Sequence, residues 1–298
     1  MAEKLKYFVN GQFRESKTDK WYDLHNPSTG EITGQAPCCT NDEVLEAIAA
    51  AKAAYPGWSA TPAIKRAQIL YRVRELILER MDELTMSVAK ENGKVWAESE
   101  GDVLKAKEGT ELATQVPSLM MGESIMDASR GYDTVKYREP LGVFAGIVPV
   151  NFPAMIPFGW MAPTCIAAGN TLVLKAASLT PKTAMLFAQL YKDAGVPDGV
   201  INVVTCSRNE INTILEHPDV KGITFVGSTP VGLKIYEKAA ANGKRCQALC
   251  QAKNHALVME DCALERTVAG VINSAFGCAG QRCMALSCCV VQAVSYTH

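Results

Sequence analysis

The sequence has almost no net charge. Among its 298 residues, 30 lysines and arginines stand against 31 aspartates and glutamates, which gives a formal charge of -1 at pH 7. Binding to a nucleic-acid backbone or to an anionic membrane surface depends on an excess of positive charge. We therefore expect neither nucleic acid nor a membrane as a partner.

Low-complexity tracts are also missing. Hydrophobic residues make up 48% of the chain and charged residues 20%. Such a composition excludes an intrinsically disordered protein, because disorder requires few apolar residues and much charge. A chain of this length folds as two domains or as one large α/β domain, with a substantial buried core.

The chain lacks an uninterrupted membrane span. Between residues 140 and 169 the only polar side chains are Asn151 and Thr164, so the stretch is long enough on hydropathy to cross a bilayer. However, it contains four internal prolines, and a lipid-exposed helix cannot leave the freed carbonyl groups unpaired. The stretch is predicted to form a buried strand, a turn and a buried helix.

A targeting signal is not visible either. The first residues, MAEKLKYFVNGQF, contain neither an apolar export core nor an arginine-rich and serine-rich amphipathic presequence. We expect a cytoplasmic protein, or a mitochondrial one if an upstream transit peptide is missing.

The eleven cysteines are an odd number, so reduced thiols are expected rather than a disulfide framework. Their spacing does not match structural zinc sites, and no metal is expected.

The first part of the chain predicts a hairpin followed by helices. Two short apolar runs flank Asn10-Gly11, a dipeptide that tolerates the positive φ angles of a tight turn. Residues 40–43, Thr-Asn-Asp-Glu, are typical of a capping box, and they begin a helix that we expect to stop at Pro56-Gly57. Apolar residues at helical spacing predict a second helix between Ile69 and Arg80.

From Leu141 onward, short β-branched runs alternate with helical patterns. The predicted strands are 143–148, 171–175, 201–204, 222–226 and 256–259. The predicted helices are 155–168, 181–194, 209–217, 230–242 and 264–276. Such alternation indicates a parallel sheet covered on both faces, and these sheets bind ligands at the carboxyl ends of their strands. The polar segment 124–138 is predicted to be an arm or a surface hairpin.

The common dinucleotide fingerprint G-x-G-x-x-G is absent. Instead, residues 227–232, Gly-Ser-Thr-Pro-Val-Gly, follow a predicted strand and open a helix. Pro230 fits the first helical position with Thr229 as the cap, and Gly227 lets a ligand approach backbone N–H groups that attract phosphate. An ordinary helix cap explains the same residues, so both interpretations stay open.

Three further residues could carry chemistry. Cys283 follows Arg282, whose charge would lower the pKa of the thiol, while a buried structural cysteine is the alternative. Asn151 would project from the carboxyl end of a strand, where its amide could stabilise an oxyanion or cap the next helix. Lys175 ends the neighbouring strand and could bind ribose hydroxyls or phosphate, or face solvent.

Four segments occur in the order and approximate spacing of the aldehyde dehydrogenase superfamily. They are 149–153 (Pro-Val-Asn-Phe-Pro), the strand ending at Lys175, 225–229 (Phe-Val-Gly-Ser-Thr) and 280–283 (Gly-Gln-Arg-Cys). Residues 118–123, 252–255 and 280–287 resemble the CoA-acylating methylmalonate-semialdehyde dehydrogenases within it. The resemblance covers the chain up to about Ser287. It implies an α/β fold with a Rossmann-type parallel sheet, helices on both faces, and the beginning of a second α/β catalytic domain.

The resemblance also implies a defined chemistry. Cys283 would attack the aldehyde carbonyl of methylmalonate or malonate semialdehyde, and the Asn151 amide and the Cys283 N–H would hold the oxyanion. Hydride would pass to NAD, and CoA would take the acyl group to give propionyl-CoA or acetyl-CoA with loss of carbon dioxide. Arg282 and Lys105 would bind the substrate carboxylate. The family's cofactor contacts map onto Val148, Val150, Lys175, Ser178, Leu179, Gly227 and Ser228.

Several positions depart from the family's pattern, among them Val150 in place of an aromatic residue and Lys105 in place of an arginine. Hydrolytic relatives carry a glutamate, the base for the deacylating water, where this chain has Leu249, which cannot accept a proton and so favours an external thiol. The glutamate that binds the adenosine ribose corresponds to Ser178, which keeps NADP open beside NAD. The alternatives are a hydrolytic NAD(P)-dependent aldehyde dehydrogenase and an inactive, truncated nucleotide-binding fragment.

The same resemblance divides the chain. Residues 1–123 and 141–250 would form the cofactor-binding domain, 124–140 the oligomerisation arm, and 251–298 part of the catalytic domain. Family members continue well beyond the nucleophile, so we expect a C-terminally truncated chain with little activity of its own. A homo-oligomer is expected for full-length members, but not carried over to this chain, because the strand that pairs with the arm is not among these residues.

Overall fold

The computed structural model describes residues 3–293. Its first part consists of two antiparallel hairpins and a layer of helices. The hairpin strands are β1 (Tyr7–Val9), β2 (Gln12–Arg14), β3 (Trp21–His25) and β4 (Ile32–Pro37). The helices are α1 (Asn41–Ala60), α2 (Ala63–Glu79), α3 (Met81–Asn92), α4 (Trp96–Ala113) and α5 (Val116–Leu119). Among the described helices, none combines the length and the apolar character needed to span a bilayer.

The polar segment after α5 forms the expected surface hairpin. Its strands are β5 (Ser124–Ser129) and β6 (Tyr132–Val135), which pair antiparallel. Every residue of both strands is exposed. The hairpin therefore projects from the rest of the described structure.

A seven-stranded sheet forms the centre of the molecule. Its parallel strands are β7 (Val143–Ile147), β8 (Thr171–Lys175), β9 (Ile201–Val204), β10 (Val220–Val226) and β11 (Arg245–Leu249). The strand order is β11-β10-β7-β8-β9-β1-β2, and β1 joins β9 antiparallel. A π-helical turn (Ile156–Met161), α6 (Ala162–Ala167), α7 (Lys182–Asp193), α8 (Arg208–Glu216) and α9 (Thr229–Ala241) connect the parallel strands.

The strand order creates a crevice beside β7. The chain moves from β7 to β8 and β9 on one side, and then returns to place β10 on the other side of β7. In open α/β sheets, such a reversal leaves a ligand-binding crevice at the carboxyl ends of the two central strands. Here those ends are Ile147 of β7 and Val226 of β10.

Two buried clusters confirm helices on both faces of the sheet. One cluster joins α2, α3, α4 and α7 to the sheet through residues such as Leu70, Phe158 and Leu174. The other joins α1, α8 and α9 to the opposite face through residues such as Ile48 and Phe225. Burying each of these large apolar side chains contributes about 1.5–3 kcal/mol, so the sheet and its two helical layers form one stable core.

Helix α4 and the π-helical turn meet backbone to backbone at two glycines. A Cβ added at Gly109 would overlap with the Gly159 carbonyl group, and one added at Gly159 would lie 2.9 Å from the Ala106 Cα. A side chain at either position would therefore push the two elements apart.

The last part of the described chain is a small separate layer. It contains β12 (Asn254–Val258), α10 (Leu264–Phe276), a 3₁₀ turn (Gly277–Gly280) and β13 (Leu286–Val291). The two strands pair parallel with each other and do not join the central sheet. No residue of α10 is buried in the described structure.

The local predictions differ from the structure at several places, of which three concern the sheet and the helices beside it. Helix α1 does not stop at Pro56-Gly57 but continues to Ala60, because Trp58 is buried and its indole N–H donates to the Ile166 carbonyl at 3.0 Å. Strand β11 was missed, because alternating half-buried and exposed residues at a sheet edge give a weak strand pattern. The cap of α9 is Ser228 rather than Thr229, which is already helical.

Candidate active site

The crevice beside β7 gathers the cofactor residues suggested by the sequence. Val148 and Val150 follow β7, Lys175 ends β8 with Ser178 and Leu179 after it, and Gly227 and Ser228 follow β10. Val148 is buried, Lys175, Ser178 and Gly227 are half-buried, and the remaining three are exposed. The structure thus places all seven at the carboxyl edge of the parallel sheet, and all except Val148 are at least partly exposed there.

The start of α9 suits an anionic group. The Ser228 side chain makes no capping hydrogen bond, so the Thr229 N–H at the helix start has no side-chain cap, whereas Pro230 has no N–H and the Val231 N–H donates to the Ser228 carbonyl. A Cβ added at Gly227 would overlap with the Phe225 ring, which explains the glycine at this turn. Because a helix N-terminus also carries partial positive charge, the turn can receive a phosphate.

Lys175 is the last residue of β8, and two buried thiols, Cys38 and Cys206, lie near its side chain. Burial lowers the pKa of its ammonium group, while the nearby Cys206 and Cys38 oppose that shift. The side chain is half-buried rather than fully solvated. It therefore presents a partly desolvated donor at the crevice, in a position where a polar ligand group can accept from it.

Asn151 connects the crevice to the loop that carries Cys283. Its Nδ2 donates to the Gln281 carbonyl at 2.8 Å, and its Oδ1 is buried without a hydrogen-bond partner in the described structure. One of the two amide hydrogens is used in this contact, so the other remains available to a ligand. The loops after β7 and before β13 are therefore brought together at the sheet's carboxyl edge.

Cys283 lies in a cleft of about 640 Å³, together with Lys105, Arg282 and Phe152. Its side chain is half-buried. The Asn254 amide donates to the carbonyl groups of Cys283 and Ala285, at 3.0 Å in each case. This contact fixes the backbone on both sides of residue 284, and it was not anticipated from the sequence.

Arg282 contacts Glu98 of α4 and the Cys278 sulfur. Its Nη2 lies 3.4 Å from the Glu98 carboxylate, and its Nε donates to the Cys278 sulfur at 3.2 Å. The same Glu98 oxygen accepts the Cys278 N–H at 2.7 Å. Because Glu98 and Lys105 are seven residues apart, both side chains project from one face of α4 into the cleft. That helical spacing was the signal that could have identified Glu98.

The turn before Cys283 has a left-handed backbone. Cys278 and Ala279 have φ angles of 53° and 54°, and Gly280 has a φ of 73°. Only glycine adopts this conformation without strain, so the first two residues each cost free energy. The hydrogen bond from the Cys278 N–H to Glu98 helps to hold the turn in place.

A second cleft adjoins the first. It has a volume of about 560 Å³, and its walls include Leu249, Val226, Trp160 and Lys105. Leu249 is 44% exposed and presents an apolar surface there. Lys105 borders both clefts and is paired with Glu108 at 2.6 Å, so its charge is partly compensated.

Comparison with known proteins agrees with this architecture. The model of the aldehyde dehydrogenase family matches residues 13–298. The chain is 45% identical over 287 residues to a Rattus norvegicus protein named methylmalonate-semialdehyde/malonate-semialdehyde dehydrogenase (acylating), mitochondrial. That match covers 96% of this chain and 54% of the rat protein.

Solved structures show the same likeness. The crystal structure of methylmalonate-semialdehyde dehydrogenase from Oceanimonas doudoroffii matches with a TM-score of 0.96 and 40% identity, over 99% of this chain and 60% of that one. A Sinorhizobium meliloti 1021 protein complexed with NAD matches with a TM-score of 0.95 and 36% identity, over 98% and 59% of the two chains. The chain thus spans between about half and three fifths of the length of these relatives. It belongs to the aldehyde dehydrogenase family.

Proposed function

We propose that this chain carries the cofactor-binding part and the nucleophile of a CoA-acylating semialdehyde dehydrogenase. The reaction would convert methylmalonate or malonate semialdehyde, NAD and CoA to propionyl-CoA or acetyl-CoA, carbon dioxide and NADH. The names of the rat and Oceanimonas relatives support this substrate class. The observation that carries the proposal is the hydrogen bond between Asn151 and Gln281, which joins the oxyanion residue to the nucleophile's loop.

The crevice beside β7 would bind the dinucleotide. The glycine turn and the start of α9 would hold its phosphates, Lys175 and Ser178 would donate to its ribose hydroxyls, and Val148 and Val150 would flank it with Leu179. When bound, NAD supplies a hydride acceptor. Ser178 carries no negative charge to repel a 2′-phosphate, so NADP would be tolerated beside NAD.

Cys283 would start the reaction as a thiolate. Its sulfur would form a bond to the aldehyde carbon, and the carbonyl oxygen would become an oxyanion. The second amide hydrogen of Asn151 and the Cys283 N–H would donate to that oxygen. Hydride then leaves this carbon for the nicotinamide, and a thioester that still bears the substrate carboxylate remains on Cys283. The carboxylate leaves as carbon dioxide, and the α-carbon takes up a proton. The CoA thiolate then displaces the propionyl or acetyl group and regenerates the Cys283 thiolate.

Leu249 distinguishes acyl transfer from hydrolysis. Water needs a base to deacylate a thioester efficiently, whereas a thiolate is itself a strong nucleophile. A half-exposed leucine at the second cleft cannot take a proton from water. The side chain therefore supports transfer to CoA over release of a free acid.

Arg282 and Lys105 would receive the substrate carboxylate. Both border the Cys283 cleft, and both are already paired with a glutamate on α4. A bound carboxylate would have to compete with Glu98 for the Arg282 guanidinium. Before substrate binds, the salt bridge with Glu98 would keep the Arg282 side chain near the cleft.

We propose the domain division together with this function. Residues 1–123 and 141–250 would bind the cofactor, 124–140 would form an oligomerisation arm, and 251–298 would belong to the catalytic domain, although residues 1–2 and 294–298 lie outside the described part. A homo-oligomer would be the assembly of full-length relatives. The proposed compartment is the cytoplasm, or the mitochondrion if a transit peptide precedes this sequence, and cell fractionation tests it.

The test combines turnover with matched cysteine variants. Purified protein is incubated with methylmalonate semialdehyde and NAD, with and without CoA, and NADH and acyl-CoA are measured. Cys283→Ser should abolish CoA-dependent NADH formation, while Cys289→Ser, an exposed thiol in the same region, should not. Equal NADH formation without CoA would instead identify a hydrolytic enzyme, and turnover that survives Cys283→Ser would contradict the proposed nucleophile.

A nucleotide-binding protein without turnover is the second candidate. It is favoured by α10, none of whose described residues is buried, because an incomplete catalytic layer would not hold substrate firmly. NADH binding, followed by its fluorescence, combined with no turnover under all conditions would support this candidate. Ser178→Glu should then lower the affinity for NADPH relative to NADH, and an unchanged ratio would contradict the proposed ribose contact.

A further inference from the structure

We propose that residues 91–94, Glu-Asn-Gly-Lys, together with Asp102, form a clamp. The clamp positions two loops of the candidate active site, the loop after β7 and the loop after β8. This proposal rests on the proposed function, because it assigns these residues a role in orienting Asn151. The four residues end α3 and begin the short link to α4, outside the crevice and outside the Cys283 loop. Their side chains nevertheless reach both the loop after β7 and the start of α7.

Asn92 holds the residue before Asn151. Its Nδ2 donates to the Val150 carbonyl at 2.9 Å. The Thr180 hydroxyl donates to the same carbonyl at 3.4 Å, which links this loop to the one after β8. The Val150 carbonyl is therefore a shared anchor, and its orientation fixes the peptide plane from which Asn151 starts.

Lys94 and Asp102 hold the residues after Asn151. They form an ion pair of 2.9 Å whose side chains are 2% and 0% exposed. The Lys94 ammonium group lies 3.9 Å from the centre of the Phe152 ring, and Asp102 accepts the Met155 N–H at 2.7 Å. The loop is thus fixed at a carbonyl, a ring and an N–H, with Asn151 between the first two.

Glu91 holds the start of α7. Its two carboxylate oxygens accept the N–H groups of Lys182 and Thr183, at 2.8 and 3.0 Å. These are the first residues of the helix that follows Ser178 and Leu179. The carboxylate thereby sets where the proposed ribose-binding loop ends.

Gly93 makes it possible for adjacent residues to reach both loops. It caps α3 in the left-handed conformation with a φ of 77°, and its N–H donates to the Ala89 carbonyl at 2.9 Å. This reversal ends the helix between Asn92 and Lys94. Residues 91–94 can then contact the Val150 carbonyl and the Phe152 ring in the loop after β7. They also contact the first two N–H groups of α7.

The buried ion pair is better explained by orientation than by stability. Desolvating two charges offsets most of their attraction, and apolar residues of similar volume often stabilise a fold equally well. An apolar pair could not accept the Met155 N–H or attract the face of the Phe152 ring. The charges are therefore needed to fix direction at this loop.

The test replaces Asn92 by its isostere. Asn92→Asp removes the donor to Val150 and keeps the shape of the side chain. Asn242→Asp is the matched control, because Asn242 also lies at a helix C-terminus and its amide donates to a backbone carbonyl at 2.8 Å, but at the far end of α9. Both variants experience the same unfavourable helix dipole, so a difference between them reports on the loop.

We expect Asn92→Asp to lower kcat about tenfold while KM for NAD changes little, because misplaced oxyanion donors weaken the transition state rather than the complex. Asn242→Asp should leave kcat unchanged with a similar change in Tm. Amide hydrogen exchange should become faster at residues 150–156 in Asn92→Asp alone. An unchanged exchange rate there, or equal losses of kcat in both variants, would overturn the clamp.

The two proposals fail separately. If the unmodified protein shows no CoA-dependent NADH formation, the proposed function fails, and hydrogen exchange still decides whether Asn92 holds the loop. If turnover is present but Asn92→Asp matches the unmodified protein in kcat and in exchange, the function stands and the clamp is wrong.

Discussion

Helices α7 and α10 are both amphipathic, but only α7 has buried residues. In α7, Phe187, Leu190 and Tyr191 are buried against the sheet and neighbouring helices. In α10, the apolar residues at four-residue spacing are 52% to 69% exposed, and Phe276 at the end of the helix is 69% exposed. An amphipathic pattern thus specifies which face of a helix should be buried, whereas the neighbouring elements decide whether it is.

The same contrast separates two regions of the molecule. Residues up to Leu249 share two continuous clusters of buried side chains. Residues 254–291 form a thin layer of two strands and one helix. Regions with few buried apolar contacts open at lower free energy, so the layer that carries Cys283 is expected to be the more dynamic of the two.

Thiol alkylation should show the largest difference between the regions. Burial raises the pKa of Cys39 and of Cys206 to about 12. At about pH 8 their thiolate fraction is then on the order of 10⁻⁴. Cys289 is exposed in the second region, and we expect iodoacetamide to label it at least about a hundredfold faster than either. A mass-spectrometric time course measures the rates, and comparable labelling of Cys39 would show that the first region opens readily.

Truncating a core side chain should separate the regions in stability. Phe158 is fully buried and stacks on Phe187 with the ring centres 4.9 Å apart. Phe158→Ala should lower the free energy of unfolding by about 3–5 kcal/mol, whereas Ile272→Ala in α10 should change it by less than about 0.5 kcal/mol. Urea unfolding compares the two, and a similar loss for Ile272→Ala would mean that the stripe of α10 is covered in solution.

The pH dependence of stability should be set by the first region. Burial raises the pKa of Glu91 to about 7, against the opposing hydrogen bonds from Thr183 and Lys182 and the charge of Lys182. The folded protein therefore holds this proton more tightly than the unfolded chain. The resulting stabilisation is complete below the ordinary glutamate pKa and is lost as the pH rises through about 7, by up to about 3 kcal/mol.

Glu91→Gln should remove this fall in stability, while Glu265→Gln, an exposed residue at the start of α10, should leave the pH profile unchanged. Unfolding free energies measured across the same pH range compare the two variants. A profile that keeps its slope in Glu91→Gln would assign the titration to another group.

Helix capping should give the smallest difference. Helix α1 begins with a complete capping box at Thr40 and Glu43, whereas Ala263 before α10 offers no side-chain cap. Ala263→Asp should stabilise α10 by about 1 kcal/mol, and Thr40→Ala should destabilise α1 by a similar amount. Hydrogen exchange within each helix measures both effects. No change in the exchange of α10 would indicate that its first turn is already satisfied.

The predictions of strand bounds and helix caps were most accurate where residues close together in the sequence determine the structure. Strands β8 and β9 have the predicted bounds, because short runs rich in β-branched residues lie between clear turns. The capping box at Thr40 was also confirmed. The aldehyde dehydrogenase family and its α/β fold were confirmed by the comparisons, since four separated segments carry more information than any single one.

The details of the site could not be predicted in this way. The partners of Asn151 and Asn254 are backbone carbonyl groups, which every residue has, so residue type gives no signal for them. The contact between Glu98 and Arg282 joins residues 184 positions apart. The roles of Cys283, Asn151 and the cofactor residues stay predictions, whose geometry the structure supplies and whose chemistry the proposed experiments test.

The glycine crossing of α4 and the π-helical turn limits how the cleft can change shape. Backbone atoms meet directly at Gly109 and Gly159, so no rotamer change can absorb a shift between the two elements. Lys105 and Trp160, which border the cleft, lie beside this crossing, on α4 and on the turn. A change in the shape of this cleft must therefore come from its other walls, such as the exposed Met284, so the cleft has one rigid side and one adaptable side.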